Sequence, residues 1–163
     1  MVVRIVYASK YGSTREVAEA IAEVIGREHE ATTQDAAGAG GFERVDAIVL
    51  GSAIYGGRWL EPALNLSEKR AYEMSGRPIW LFSVGPIGNP SKPEDAGPDG
   101  IDQTMERLGA RGHELFAGRL DYAKLGRLER LMVKALHAPE GDFRDWDAIR
   151  AWAGSISGQL SRS

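Results

Sequence analysis

The sequence predicts an α/β chain, a mostly parallel sheet covered on both faces by helices. Three observations carry this. The chain opens as strand, turn and helix over residues 2–22. Two later stretches, 46–51 and 79–84, are continuous and apolar, as strands buried on both faces are. Between such runs the apolar spacing turns helical, so strand and helix alternate. Right-handed crossovers then restrict the topology to a few doubly wound orders.

The opening stretch sets the pattern. Val2, Val3, Ile5, Val6 and Tyr7 form an apolar run broken only by Arg4. The run is too short for a helix and rich in β-branched residues. Residues 8–12 turn. Val17, Ala18, Ile21, Ala22, Val24 and Ile25 then recur at helical spacing. Ser13 or Thr14 suits the N-cap of this helix, with Glu16 in its first turn, and Gly26 and Arg27 mark its end. Residues 30–34 give a short second strand, and 36–41 a glycine- and alanine-rich connector. Its glycines make no dinucleotide fingerprint, because Glu43 stands where the third glycine belongs.

Residues 46–51 are the third strand and 52–59 a loop, SAIYGGRW. Pro62 favours the first turn of a helix over 61–72. Gly76, Arg77 and Pro78 turn the chain into the fourth strand at 79–84. A connector rich in proline and glycine covers 85–100, and connectors that long are usually functional or disordered. A short helix at 101–108 and a fifth strand at 114–118 follow. Residues 122–137 form an amphipathic helix. Leu125, Leu128, Leu131, Met132 and Leu136 share one face, and Lys124, Arg127, Arg130 and Lys134 dominate the rest. Residues 138–141 break it. The closing helix covers 145–160, with Trp146, Ile149, Trp152, Ala153 and Ile156 on one side.

At 163 residues the chain is expected to be one domain, 1–163. The formal charge of -3 argues against nucleic acid as a partner, and weakly against docking through a very acidic face. With no cysteine there is no disulfide, thiol nucleophile or Cys-ligated cluster. His29, His113 and His137 lack ligand spacing and are expected at the surface, with no metal site. Ser9, Ser52 and Ser83 have no visible base, and no Gly-x-Ser-x-Gly elbow occurs. The first residues form a strand rather than a leader, and no apolar run is long enough to span a membrane, so the expectation is cytoplasmic.

Three loops leave carboxyl ends of strands, at 9–14, 52–59 and 83–89. In a doubly wound sheet they should share one rim, where ligands bind. The first precedes a helix N-terminus, whose unpaired amides and dipole favour an anion. Its hydroxyls also suit simple capping. The second carries Tyr55, Gly56, Gly57 and Trp59, and the third Ser83, Gly85, Gly88 and Asn89. Glycines let backbone approach a flat ring, and Tyr55 or Trp59 suits covering one face of it. The pattern describes a mononucleotide whose ring does the chemistry, and flavin mononucleotide (FMN) fits it best.

These motifs resemble those of flavodoxin-fold proteins over nearly the whole chain. Ser9-x-x-Gly12-Ser13-Thr14 is similar to the family's phosphate loop, and residues 51–57, GSAIYGG, resemble its second flavin loop. More narrowly, the chain resembles menaquinone-dependent protoporphyrinogen oxidases of the flavodoxin type. That likeness lies in Tyr7-Ala8-Ser9, the GSAIYG loop, Gly118-Arg119-Leu120 with Tyr122, the basic stretch 127–134, and Asp145-Trp146.

The resemblance implies a three-layer sandwich with a five-stranded parallel sheet, order 2-1-3-4-5, and FMN on the rim. Ser9, Lys10, Tyr11, Gly12, Ser13 and Thr14 would hold the phosphate. Ala53, Ile54, Tyr55, Gly56 and Gly57 would flank one side of the ring, and Ser83, Val84, Gly85, Pro86 and Gly88 the other. Gly56 or Gly57 would supply the peptide that reorients on flavin reduction in flavodoxins. Pro86 and Ile87 stand where many flavodoxins stack an aromatic residue. The implied activity is oxidation of a porphyrinogen with electrons passed to a quinone, with Arg58 and Lys92 as anchors for substrate carboxylates. The alternative is a flavodoxin-type electron carrier serving a redox partner. The stretch 122–138 is either a basic helix lying against the inner face of a membrane or a helix packed on the sheet edge.

Overall fold

The computed structural model describes residues 1–85, 97–135, 137 and 140–163. Its strands are β1 (Val2–Ala8), β2 (Glu30–Asp35), β3 (Ala47–Tyr55), the short β4 (Arg58–Trp59), β5 (Ile79–Val84) and β6 (His113–Phe116). The helices on its faces are α1 (Ser13–Ile25), α2 (Glu61–Lys69), α3 (Ala71–Met74) and α4 (Ile101–Leu108). The sheet order is β2-β1-β3-β5-β6, all parallel, and β4 pairs antiparallel with the end of β3. Setting β4 aside, the five long strands follow the expected order 2-1-3-4-5.

Strand alternation divides the core into two layers. Val3, Ile5, Val49, Trp80 and Phe82 face α1 and the closing helix, while Val6, Ile48, Leu50, Ile79 and Leu81 face α2, α3 and α4. Gly51 lies on the first of these layers under the Phe82 ring. A Cβ there would meet that ring at 2.2 Å, so glycine is required by close approach. Phe82 in turn meets Trp152 edge-on at 6.2 Å.

After β6 the chain leaves the sheet. β7 (Arg119–Leu120) pairs antiparallel with β8 (Gly141–Asp142), and between them lie a 3₁₀ turn (Tyr122–Lys124) and α5 (Arg127–Ala135). The last helix, α6 (Trp146–Ser161), then packs on α1, with the Asp145 carboxylate accepting from the Ala148 amide at its start. No helix among the described residues is long and apolar enough to cross a membrane.

Several elements differ from expectation for visible reasons. The expected loop at 52–59 is a hairpin: β3 runs on to Tyr55 and turns at Gly56-Gly57 into β4. Both glycines have positive φ, 58° and 77°, as the favoured two-residue hairpin turn requires. The expected helix at 61–72 breaks at Arg70 (φ −119°, ψ 17°). The helix expected over 122–137 starts only at Arg127. Asp121 caps a 3₁₀ turn instead, and Leu125 is extended. Leu136 lies outside the described residues. Of the expected apolar face, Leu125 alone is buried; Leu128, Leu131 and Met132 are 72, 65 and 60% exposed.

Candidate functional site

The three rim loops do meet. A cavity of about 320 Å³ is lined by Ser9, Lys10, Tyr11, Ser13 and Thr14 from the first, Ala53, Ile54, Tyr55 and Gly56 from the second, and Val84 and Gly85 from the third. Of the other expected site residues, Gly12, Gly57 and Ser83 are not part of this lining. Pro86 and Gly88 lie outside the described residues, as do Ile87, Asn89 and Lys92.

The first loop is shaped by Gly12. Its φ of 89° is a left-handed conformation that glycine adopts at no steric cost. Gly12, rather than Ser13 or Thr14, is therefore the N-cap of α1, and no side chain caps the helix. The Gly12 amide donates to Ser9 Oγ at 3.0 Å, and the Glu16 amide donates back to the Gly12 carbonyl at 3.1 Å. The helix amides before Glu16 have no intrahelical acceptor. Ser13 Oγ is buried and has no hydrogen-bond partner among the described residues. A buried hydroxyl left unpaired costs roughly 1–3 kcal/mol, so it is a group awaiting an acceptor.

The second loop presents Tyr55, which is 40% exposed. Its ring meets Tyr11 edge-on, with centroids 6.3 Å apart. Desolvation pushes its phenol up to about 12, so it stays protonated at neutral pH. The Asp99 amide donates to the Gly57 carbonyl at 2.7 Å and steadies the turn. Trp59 lies in the core, with its indole N–H donating to Ser83 Oγ at 2.8 Å, and does not line the cavity.

Ser83 also bonds His113 Nε2 at 2.8 Å. Ser83 Oγ thus accepts from Trp59 and joins the indole to the His113 ring. Burial lowers the His113 pKa, which favours the neutral imidazole. The surface placement expected for His113 is thus corrected: it braces the second loop from beneath. Among the described residues no cluster of metal ligands forms. The third loop turns at Gly85 (φ 92°), whose amide donates to the Phe116 carbonyl at 2.8 Å.

The fourth wall was not foreseen. Gly118, Arg119, Leu120, Asp121, Lys124, Leu125, Glu129, Met132 and Val133 close the cavity from the β7–β8 segment. Glu129 accepts from both Lys10 Nζ and Tyr11 OH. These bonds hold the Glu129 carboxyl below its ordinary range, and the Glu129 bond raises Lys10. The root of the segment is fixed by Arg144, whose side chain is only 3% exposed and pairs with Glu16 and, at 2.7 Å, with Asp142. The sequence signals for this wall are the amphipathic spacing of 122–137 and the Gly118-Arg119-Leu120 motif, and neither tells which surface the segment faces.

These residues fit an FMN phosphate. An orphan hydroxyl and the first amides of α1 supply donors, and the dipole there favours an anion. Tyr55 and the positive-φ glycines give a flat, close approach on the ring side.

Comparison with known proteins agrees. A family model described as the flavodoxin domain matches residues 4–147. Among solved structures, a cysteine-to-serine mutant of the flavodoxin from Pseudomonas aeruginosa is 15% identical, with 99% of each chain covered and a TM-score of 0.64. A flavodoxin from the domain Archaea is 18% identical, with the same coverage and TM-score. A rubredoxin oxygen:oxidoreductase from Desulfovibrio gigas is 12% identical with a TM-score of 0.68, this chain covering 36% of its length. No curated protein matches in sequence. At such identities the structures show the fold alone, and the family match extends over most of the chain. The chain belongs to the flavodoxin domain family, whose cofactor is FMN.

Proposed function

We propose that the chain is an FMN-dependent electron carrier of the flavodoxin type, exchanging electrons with a redox partner. The observation that carries this is the buried, partnerless Ser13 hydroxyl at the start of α1, opening on a cavity walled by Tyr55, Gly56, Val84 and Gly85. Ser13 and the first amides of α1 would hold the phosphate, with Ser9 fixing the turn. Tyr55 would cover one side of the ring, and Val84 and Gly85 would bound the other. Bound FMN supplies the reversible electron transfer; the protein supplies binding, orientation and electrostatics. The flavodoxin structures that share the fold support this reading.

A second reading is oxidation of a porphyrinogen with electrons passed to a quinone. One observation favours it: Leu120, Leu125, Met132 and Val133 add an apolar wall beside the ring side of the cavity. Outside that wall, α5 exposes Leu128 and Leu131 next to Arg127 and Lys134, a surface suited to peripheral contact with an anionic membrane. Arg130 contributes less, since its guanidinium donates to the Tyr122 and Ala123 carbonyls. Flotation with anionic liposomes tests the contact: the protein should rise with them, and the variant R127A/K134A should stay behind.

Photoreduction of the FMN-loaded protein separates the two readings. Stepwise one-electron reduction without porphyrinogen turnover supports the carrier. Conversion of porphyrinogen to porphyrin at the expense of a quinone supports the oxidase.

A further inference from the structure

The proposed function leaves one contact unexplained, the carboxylate that α5 sets on the first rim loop. Glu129 takes the Lys10 ammonium on one oxygen and the Tyr11 hydroxyl on the other. The Gly126 amide donates to it as well, at 3.4 Å. Lys10 Nζ, held in this way, lies 5.3 Å from the ring centroids of both Tyr11 and Tyr55. That is within cation–π range, so the ammonium covers the face of Tyr55 it stands over. A flat ring stacked on that face would have to displace the ammonium.

The rest of the segment divides into a fixed root and a lightly held tip. At the root, Arg144 bonds Glu16, Asp142 and the Ser13 carbonyl, and Arg119 pairs with Glu16. At the tip, no residue of α5 is fully buried, and Leu128 and Leu131 point to solvent. Little apolar burial therefore holds α5 down, and the Glu129 contacts make up the difference. Gly126, between the extended Leu125 and the start of α5, offers the backbone a place to bend.

We propose that Glu129 is a latch: by holding Lys10 and Tyr11 it keeps α5 closed over the ring of Tyr55, and the latch and a flavin ring compete for that place. This rests on the FMN reading above. Entry of FMN then requires the Lys10–Glu129 pair to part, after which Lys10 is free to turn toward an anion.

The test is stopped-flow binding of FMN to the apoprotein, native against E129Q and E129A. The variants should bind about three- to ten-fold faster, the population shift expected from losing one exposed ion pair and one charged hydrogen bond. Dissociation should not change. An unchanged or slower association overturns the latch. So does a dissociation rate that rises in step, which would make Glu129 a contact to bound flavin instead of its competitor. Hydrogen exchange of the apoprotein gives a readout without flavin: the α5 amides should exchange faster in E129Q. If the native apoprotein takes up no FMN, the flavin reading fails and the competition with flavin falls with it. Unchanged α5 exchange in E129Q overturns the latch itself, whatever the flavin result.

Discussion

At the scale of single residues, Ser13 separates stability from function. Its hydroxyl is buried at the mouth of α1 without a partner, which costs the unliganded fold and serves an incoming anion. Replacing it with alanine should leave the apoprotein as stable or more stable by up to about 1 kcal/mol. The same change should weaken FMN binding about ten-fold, the loss of one hydrogen bond to a charged group. Urea denaturation and FMN titration of S13A measure the two effects. A loss of stability together with unchanged affinity would make Ser13 a structural residue only. Gly51 is the opposite case, a residue with no part in chemistry. Its missing Cβ is what lets the Phe82 ring lie flat on the sheet. G51A should cost about 1–3 kcal/mol by overpacking, read as a lower urea midpoint at an unchanged slope.

At the scale of elements, the β7–β8 excursion is joined to α1 through charge. Its hydrogen bonds to Arg144 hold the Glu16 and Asp142 carboxyls below their ordinary ranges. Depressed carboxylate pKa values contribute stability that is present above the unfolded values, about 3.9–4.3. The contribution is lost as pH falls through the lower, folded values. Arg144 is nearly buried but both partners are about 40% exposed, so solvent screens the pairs and the expected cost of R144M is about 1–2 kcal/mol at pH 7. The gap between R144M and the native protein should narrow by pH 3. Urea unfolding at the two pH values checks this, and a gap that widens in acid would contradict it. The β3–β4 hairpin is steadied differently, through the chain Trp59–Ser83–His113.

At the scale of the whole molecule, the sheet was legible and the cover was not. Residues 47–50 and 79–82 are apolar and buried because both faces of a central parallel strand are covered, and runs this short with turn residues beside them read as strands. The first rim loop was legible because strand, Gly12 and helix are contiguous in sequence. The hairpin at 55–58 was written in its Gly-Gly pair but masked by the apolar run before it. The wall from β7 to α5 was hidden for a different reason. Its contacts with Lys10 and Tyr11 span 119 and 118 residues, and amphipathic spacing gives a face without its partner. Trp59 and His113 were misplaced likewise, since the Ser83 hydroxyl that joins them is distant from both in sequence.

All of these features converge on one pocket at the start of α1. Titrating the purified apoprotein with FMN, and following quenching of flavin fluorescence, tests it most directly. The account predicts saturation at one FMN per chain, with binding weakened in S13A. No quenching at saturating FMN, or equal binding of FMN and of riboflavin, which lacks the phosphate, would contradict it.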